Sequence, residues 1–392
     1  MARYDFVIAG AGLVGLSAAL ALTRQGLKGL VFDRGAAPGG ADAAAALTGL
    51  DRSPRVSAIN PVSVNFLTQL GVDPTFFDDV GGLFSGMTVW DGEGSGELSL
   101  PASGYIIENH RLLGALFKAI CRPSVSDLLT QQFQVGIADI RQDDTGVVVT
   151  LTNDEQIETA LLIGADGSGS RTRELLGIRC VSWRYDQSAL VCVIETALPH
   201  QSIARQSFTA DGPLAFLPLP EPNHSVLVWS STRAQAQLAS SETQFAAEVS
   251  AHSGRHLGPV MAIGPRRQFP LRQQHSTRYT KGASVLVGDA AHSIHPLAGQ
   301  GLNLGFADVA SLSQAIENLR LDQRSRLSVA LSQYEAGRRP INLRMTATTD
   351  LLKRVFDPRS PLLRLTRNAG MRWLQDQPRL KQALSLAAAG RL

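Results

Sequence analysis

Two glycine-rich segments hold most of the chemistry legible in this chain of 392 residues. The first, Gly10-Ala-Gly12-Leu-Val-Gly15, follows a short apolar run at 4–9 and precedes an Ala- and Leu-rich stretch at 13–25. In such a strand–turn–helix, Gly10 permits the tight turn, Gly12 lets the backbone approach a pyrophosphate, and Gly15 lets the helix pack on the strand. The helix start then offers free amides and a positive dipole end to phosphates. Asp33 closes the next apolar run, 29–33, where a carboxylate accepts from an adenosine ribose and repels a 2′-phosphate. Arg34 beside it covers an adenine or stands in solvent.

The second segment lies far downstream and reads Gly288-Asp289-Ala-Ala-His292-Ser-Ile-His295-Pro296-Leu-Ala-Gly299-Gln-Gly301-Leu302-Asn303-Leu-Gly305. Asp289 ends a strand at 282–287 and is placed for the hydroxyls of a ribityl chain. The stretch 299–303 opens a helix whose amides stabilise negative charge on the pyrimidine end of a reduced flavin. A third turn, Gly164-Ala-Asp166-Gly167, follows the apolar 161–163. One glycine turn does not separate NAD from FAD. Two such grips imply one extended flavin nucleotide, its ADP half on the first and its ribityl chain and isoalloxazine on the second. His292 and His295 stand three apart, the spacing of a metal pair, but no further ligands cluster with them and no metal is expected.

These segments need a scaffold that brings the two ends of the chain together. Length and apolar content suit one large or two medium domains. Helices are expected at 60–70, 109–119, 300–318 and 328–352, a hairpin at 87–100, and strands at 132–140, 146–152 and 156–163. Alternation from 189 to 230 predicts a second sheet. With nucleotide motifs at both ends and sheet between them, the domains are interleaved. The fold class is α+β: a Rossmann-like FAD-binding domain of glutathione-reductase type, an inserted β-sheet substrate domain and a helical C-terminus. The FAD domain is expected over 1–75, 101–180 and 270–355, the substrate sheet over 76–100 and 181–269, and a basic helical tail over 356–392.

The net charge of +3 conceals an asymmetry, for twelve Lys and Arg against three Asp follow Glu335, leaving +9 on that tail and −6 elsewhere. Leu362, Leu365, Ala369 and Trp373 recur at helical spacing among arginines, an amphipathic basic helix that packs on the body or meets an anionic surface. Nucleic-acid binding is not expected. Three scattered cysteines fit a reducing cytoplasm, no signal peptide is read, and no apolar run spans a bilayer. The expected location is cytoplasmic, extending to a peripheral position at the inner face of the membrane.

Gly10-x-Gly12-x-x-Gly15, Gly164-Ala-Asp-Gly-x-x-Ser170-x-x-Arg173 and Gly288-Asp-Ala-Ala-His292 together resemble the single-component (class A) flavin-dependent aromatic hydroxylases. The extension His292-x-x-His295-Pro296-x-Ala-Gly-Gln-Gly301-x-Asn-Leu-Gly305 is similar to the ubiquinone-biosynthesis hydroxylases, and the likeness runs end to end. Arg55-Val-Ser-Ala58, Ile107-Glu-Asn109 and Ala204-Arg-Gln206 add to it.

The resemblance implies FAD, held by Gly10, Gly12, Gly15, Asp33 and Arg34 at the ADP half, with Arg111 in contact and Gly288 and Asp289 near the ribityl–pyrophosphate region. Residues from Pro296 through Gly299, Gly301 and Leu302 to Asn303 would line the isoalloxazine. Asp166 would meet FAD and an approaching nicotinamide. NADPH or NADH would reduce the flavin, O2 would give a C4a-hydroperoxide, and a polyprenyl phenol on the way to ubiquinone would take one oxygen. A phenol activates its own ring, so no catalytic side chain is assigned, and His295 and Pro296 are candidates beside the isoalloxazine. Partner proteins of a biosynthetic complex and a membrane surface are further expectations. Rival readings are a hydroxylase of small soluble phenols, a prenyl-chain reductase of the same fold, and a non-catalytic FAD-binding scaffold.

Overall fold

The structure, a computed structural model, describes residues 1–38, 48–143, 146–253, 256–294, 299–356 and 361–382. Two sheets organise it. The first runs in the order Thr280–Lys281, Ser284–Leu286, Gln156–Gly164, Ala2–Ala9, Gly29–Asp33, Leu129–Phe133, with Ile137–Gln142 and Val147–Leu151 extending it from Gln156–Gly164. The strands from Ser284–Leu286 to Leu129–Phe133 are parallel. Phe6, Val7 and Ile8 are buried, as in a parallel strand covered on both faces. The helix Leu13–Thr23 is buried from Gly15 to Thr23, because the helices Asn109–Ile120 and Gly301–Ala315 pack against it as well as the sheet.

The register of this sheet aligns its strand ends. Ala9 stands opposite both Phe32 and Gly164, and Gly164 opposite Leu286. Four neighbouring strands therefore end level with one another.

The second sheet runs His292–Ser293, Arg267–Ser276, Cys180–Thr196, His224–Ser231, Gly212–Pro218, Ile203–Thr209, Gly82–Asp91, Glu97–Glu108, Val56–Ile59. It draws strands from outside 76–100 and 181–269: Val56–Ile59 pairs with the end of Glu97–Glu108, and Arg267–Ser276 with the long strand Cys180–Thr196. Its two faces alternate cleanly. Leu190, Cys192, Leu227, Trp229 and Phe216 meet Phe245 and Val249 of the helix Glu242–Ser253. Val191, Val193, Val226, Val228, Leu217 and Phe269 point the other way, gathered with Leu50 and Val56.

The stretch 132–140 is not one strand. Gln134 takes a left-handed φ of 62°, so Leu129–Phe133 pairs with the parallel sheet and Ile137–Gln142 turns back as a hairpin. The hairpin at 87–100 is longer than expected, Gly82–Asp91 with Glu97–Glu108.

The helix Pro361–Gln375 lies on the strand Glu97–Glu108. Asn368 accepts the Gly96 N–H at 2.6 Å and donates to Asp91 at 2.9 Å, Gln375 accepts the Ser99 N–H, and Met371 is buried. The inward face is thus at 368 and 371, whereas Ala369 and Trp373 face solvent, Trp373 being 59% exposed. Gly96 leaves no room for a side chain against Asn368, so this polar contact sets the inward face at 368 and 371; the side chains of Leu362 and Leu365 lie outside those described. Among the described residues no helix is long and apolar enough to cross a membrane.

Candidate active site

All three glycine turns and Asp33 leave the carboxyl edge of the parallel sheet, on the adjacent strands Ser284–Leu286, Gln156–Gly164, Ala2–Ala9 and Gly29–Asp33. Open α/β sheets bind ligands at this edge. The amides there tie the turns together: Gly10 donates to Phe32, Ala165 to Ala9, and Val287 to Gly164. Gly10 has φ +106°, and a Cβ on it would stand 2.5 Å from the Ala165 oxygen. A Cβ on Gly15 would lie 1.9 Å from the Gly10 oxygen, so the helix closes on its own turn.

Gly12 differs from both. It caps the helix Leu13–Thr23 with no side-chain hydrogen bond, and nothing lies within 4 Å of where its Cβ would be. The first amides of that helix therefore face open space with no partner of their own. Asp33 borders this space. Its two oxygens accept the Ala11 and Gly35 N–H groups at 2.7 Å each, which fixes the carboxylate while leaving further lone pairs for a ligand. Arg34 is exposed.

At the other end, Gly288 takes φ +57° and Asp289 lies in a short 3-10 turn, Gly288–Ala290. Asp289 is open on one side and ringed by protein on the others. That enclosure raises its carboxyl above the ordinary range, against the pull of His292 and Arg55. Arg173 donates to the carbonyls of Ala290 and Ser168, and Gln274 to those of Ser168 and Asp289, so the second and third glycine turns are clamped together. Gly305 sits where a Cβ would strike Val14 at 2.7 Å, which lets the helix Gly301–Ala315 close on this turn. Its N-terminus, capped by Gln300 without a side-chain bond, opens beside it.

Arg111 stands on the first turn of the helix Asn109–Ile120 with its Nε 2.8 Å from Glu108 Oε2. Glu108, 1% exposed, also faces Arg52 at 3.5 Å and accepts the Ser53 N–H, and Arg52 pairs at 2.6 Å with Glu221, in the turn between Gly212–Pro218 and His224–Ser231. Arg111 is thereby held by its inner edge. Arg55 lies over the Phe269 ring, 5.4 Å from its centroid, joining this region to the apolar face of the second sheet.

Two expected site residues also bind within the fold. Asp166 accepts from Ser170 Oγ and from the N–H and hydroxyl of Thr172, which fastens the helix Arg171–Leu175 to its own turn. Asn303 donates to the Ala58 carbonyl and accepts the Asn60 N–H, stitching the strand Val56–Ile59 to the helix Gly301–Ala315. Gly299 (φ +59°), Gly301 and Leu302 stand at the helix start as expected, while His295 and Pro296 lie outside the described residues. His292 is committed to Asp308 at 2.6 Å, a bond that accounts for its place without any metal.

Sequence reading missed Glu108, Arg52, Glu221, Asp308 and Arg338. Asp308 alone carried a signal, as the single charge in the otherwise uncharged helix Gly301–Ala315. Glu108 and Arg111 stand at i,i+3 spacing, whereas the pairs Arg52–Glu108 and Arg52–Glu221 join residues distant in sequence that no spacing marks.

The residues along this edge fit a flavin adenine dinucleotide. Gly12, Gly167 and Gly169 leave open space where side chains would stand, two helix starts lack side-chain caps, and Asp33 and Asp289 stand one at each end. The family described as FAD binding domain matches residues 3–349. The ubiquinone hydroxylase UbiL of Rhodospirillum rubrum is 35% identical, over 99% of this chain and 90% of that protein. The 3-demethoxyubiquinol 3-hydroxylase of Escherichia coli is 33% identical, over 94% of this chain and 93% of that one. Among solved structures, p-nitrophenol 4-monooxygenase PnpA from Pseudomonas putida shares the fold, with a TM-score of 0.78 at 17% identity over 99% of this chain and 98% of that chain.

Proposed function

The chain belongs to the FAD-binding-domain family and, within it, to the ubiquinone-biosynthesis flavin monooxygenases; on that premise we propose that it hydroxylates the aromatic ring of a polyprenyl phenol, using NAD(P)H and O2. The observation that carries this is the level ending of four parallel strands, which sets Asp33, Gly10–Gly15, Asp166–Gly167 and Gly288–Asp289 along one edge.

The diphosphate would lie on the open amides after Gly12, with Asp33 on the adenosine ribose and Arg34 beside the adenine. Arg111, held by Glu108, adds a cation, and Asp289 would meet the ribityl hydroxyls. The N-terminus of Gly301–Ala315 would stabilise negative charge on the pyrimidine end of the ring system. When bound and reduced, FAD supplies the activated oxygen for the ring. The protein orients the phenol and excludes water, and Leu217, Val226, Val228 and Phe269 form an apolar wall for that purpose. That wall favours a lipid-like phenol over a small charged one.

The exposed side of the helix Pro361–Gln375 supports contact with a membrane surface, where such a substrate resides. Trp373 and, further on, Leu380 are exposed there alongside Arg372 and Arg379. The test of the whole reading is incubation of FAD-loaded protein with NAD(P)H, labelled O2 and a short-chain prenyl phenol. One labelled oxygen atom in the ring is the expected product. Reductant consumption that yields hydrogen peroxide alone, with every prenyl phenol tried, would refute it.

A further inference from the structure

We infer that Gln206 is the group that holds the ring oxygen of the substrate, and so selects an oxygenated ring; the inference rests on the ring hydroxylation proposed above. Gln206 lies on the strand Ile203–Thr209, opposite Ala215, which is opposite Val228, which is opposite Val191. Residues paired directly across strands put their side chains on one face. Val191 and Val228 cluster with Leu271 and Phe269, on the face turned away from the helix Glu242–Ser253. Gln206 therefore points to the face on which Arg55 stacks over Phe269.

Its surroundings there are apolar. Val89 stands opposite it on the other neighbouring strand, and Val89, Ala215, Leu217 and Val228 are each half-buried. Phe208, two residues along the same face, stacks on Phe356 with ring centroids 3.5 Å apart and closes that end. In this setting Gln206 is only 5% exposed, yet its carboxamide has no hydrogen-bond partner among the described residues. Neither of its amide atoms is among the buried, unsatisfied ones, so the carboxamide of this otherwise buried side chain opens onto accessible space and can take up a ligand there. Ala215, with a single methyl beside it, leaves space for one. A carboxamide offers both a donor and an acceptor, the complement of a phenolic hydroxyl.

The test uses FAD-loaded protein and three probes: a short-chain 2-prenylphenol, its methyl ether, and the prenylbenzene without oxygen. Affinities are read from the change each probe causes in the absorbance of the oxidised flavin, alongside FAD content and hydroxylated product. Wild type is expected to bind the phenol and the ether more tightly than prenylbenzene. Gln206→Met should weaken phenol and ether by about 3- to 10-fold, the scale of one neutral hydrogen bond, and leave prenylbenzene and FAD content unchanged. Gln206→Glu keeps the acceptor and loses the donor, so it should retain the phenol and lose the ether; it decides the matter if the Met variant does not hold FAD. Wild-type preference among the three probes in both variants would overturn the assignment of Gln206. Failure of wild type to hydroxylate any prenyl phenol would instead remove the function itself, and this inference with it.

Discussion

His292 Nε2 lies 2.6 Å from Asp308 Oδ2, and this pair fastens the Gly288–His292 turn to the middle of the helix Gly301–Ala315. Asp308 is fully buried and accepts three further bonds, from the Gly288 N–H, Arg338 Nε and Asn342 Nδ2. Burial alone would raise its carboxyl, but His292 and Arg338 outweigh that and hold it below the ordinary range. A depressed carboxyl contributes stability above its unfolded value, near 3.9, and loses it as pH falls through the folded one. Asp308→Asn leaves Arg338 and His292 without their carboxylate and should cost about 3 kcal/mol at pH 7. It should also flatten the acid limb below pH 4, as read by chemical denaturation at several pH values. FAD binding should weaken along with it, because Asp289 rides on the same turn.

His275 sets a second, separate pH window. Burial first, then repulsion from His292 and Arg339, pushes its imidazole down to about 4. Between about 6.5 and 4 the unfolded chain takes a proton that the folded one refuses, so stability is whole above that window and falls as pH drops through it. His275→Phe should remove a loss on the order of 3 kcal/mol across the window, about 2 kcal/mol of it by pH 5. Melts at pH 7 and pH 5 that fall by the same amount in both proteins would count against this.

The glycines divide into two groups by what surrounds them. Gly15→Ala puts a methyl 1.9 Å from the Gly10 oxygen and should yield unfolded or insoluble protein. Gly12 has φ −75° and open space around it, and for Gly301 the nearest atom is Ile294 Cγ1 at 3.9 Å. Gly12→Val and Gly301→Val should therefore fold with near wild-type circular dichroism and lose FAD. Full flavin content in either variant would mean that the cofactor does not approach that turn.

Asp33 is proposed to recognise the adenosine half. Asp33→Ala removes an anion already aligned by Ala11 and Gly35, and should weaken FAD by roughly 1.5–3 kcal/mol, one charge-assisted hydrogen bond. FMN, which lacks that half, should bind wild type and variant equally poorly. Equilibrium titration of apoprotein with both nucleotides measures the difference.

The tail separates into an anchored side and a free side. Arg372→Glu with Trp373→Ser alters only exposed groups, so FAD content and melting temperature should stay as in wild type. Sedimentation with anionic vesicles should drop, since each cation near such a surface contributes about 1 kcal/mol, and added salt should erase the difference. Asn368→Ala, by contrast, breaks the bonds to Gly96 and Asp91 and should lower stability without abolishing vesicle binding. Identical sedimentation of all proteins would leave the helix as a packing element alone.

The nucleotide turns were legible from the sequence because their chemistry is local. A Gly-x-Gly-x-x-Gly spacing, a following acid and an apolar run are properties of short backbone segments, and the strand Gly29–Asp33 falls where the residues place it. The same holds for the helix Asn109–Ile120 and for the start of Gly301–Ala315. Tertiary structure alone decided which polar side chains serve the fold. Asp166 also fastens the helix Arg171–Leu175 within its own turn, and Asn303 binds backbone brought to it from the strand Val56–Ile59. Glu108 meets Arg52, and Asp308 meets His292 and Arg338, only because distant strands and helices converge. Gln206 gained its place from the register of five strands, which turns one amide onto a face of apolar neighbours. Spacing records which residues a short stretch can align, and burial and pairing across the chain determine what those residues are left free to bind.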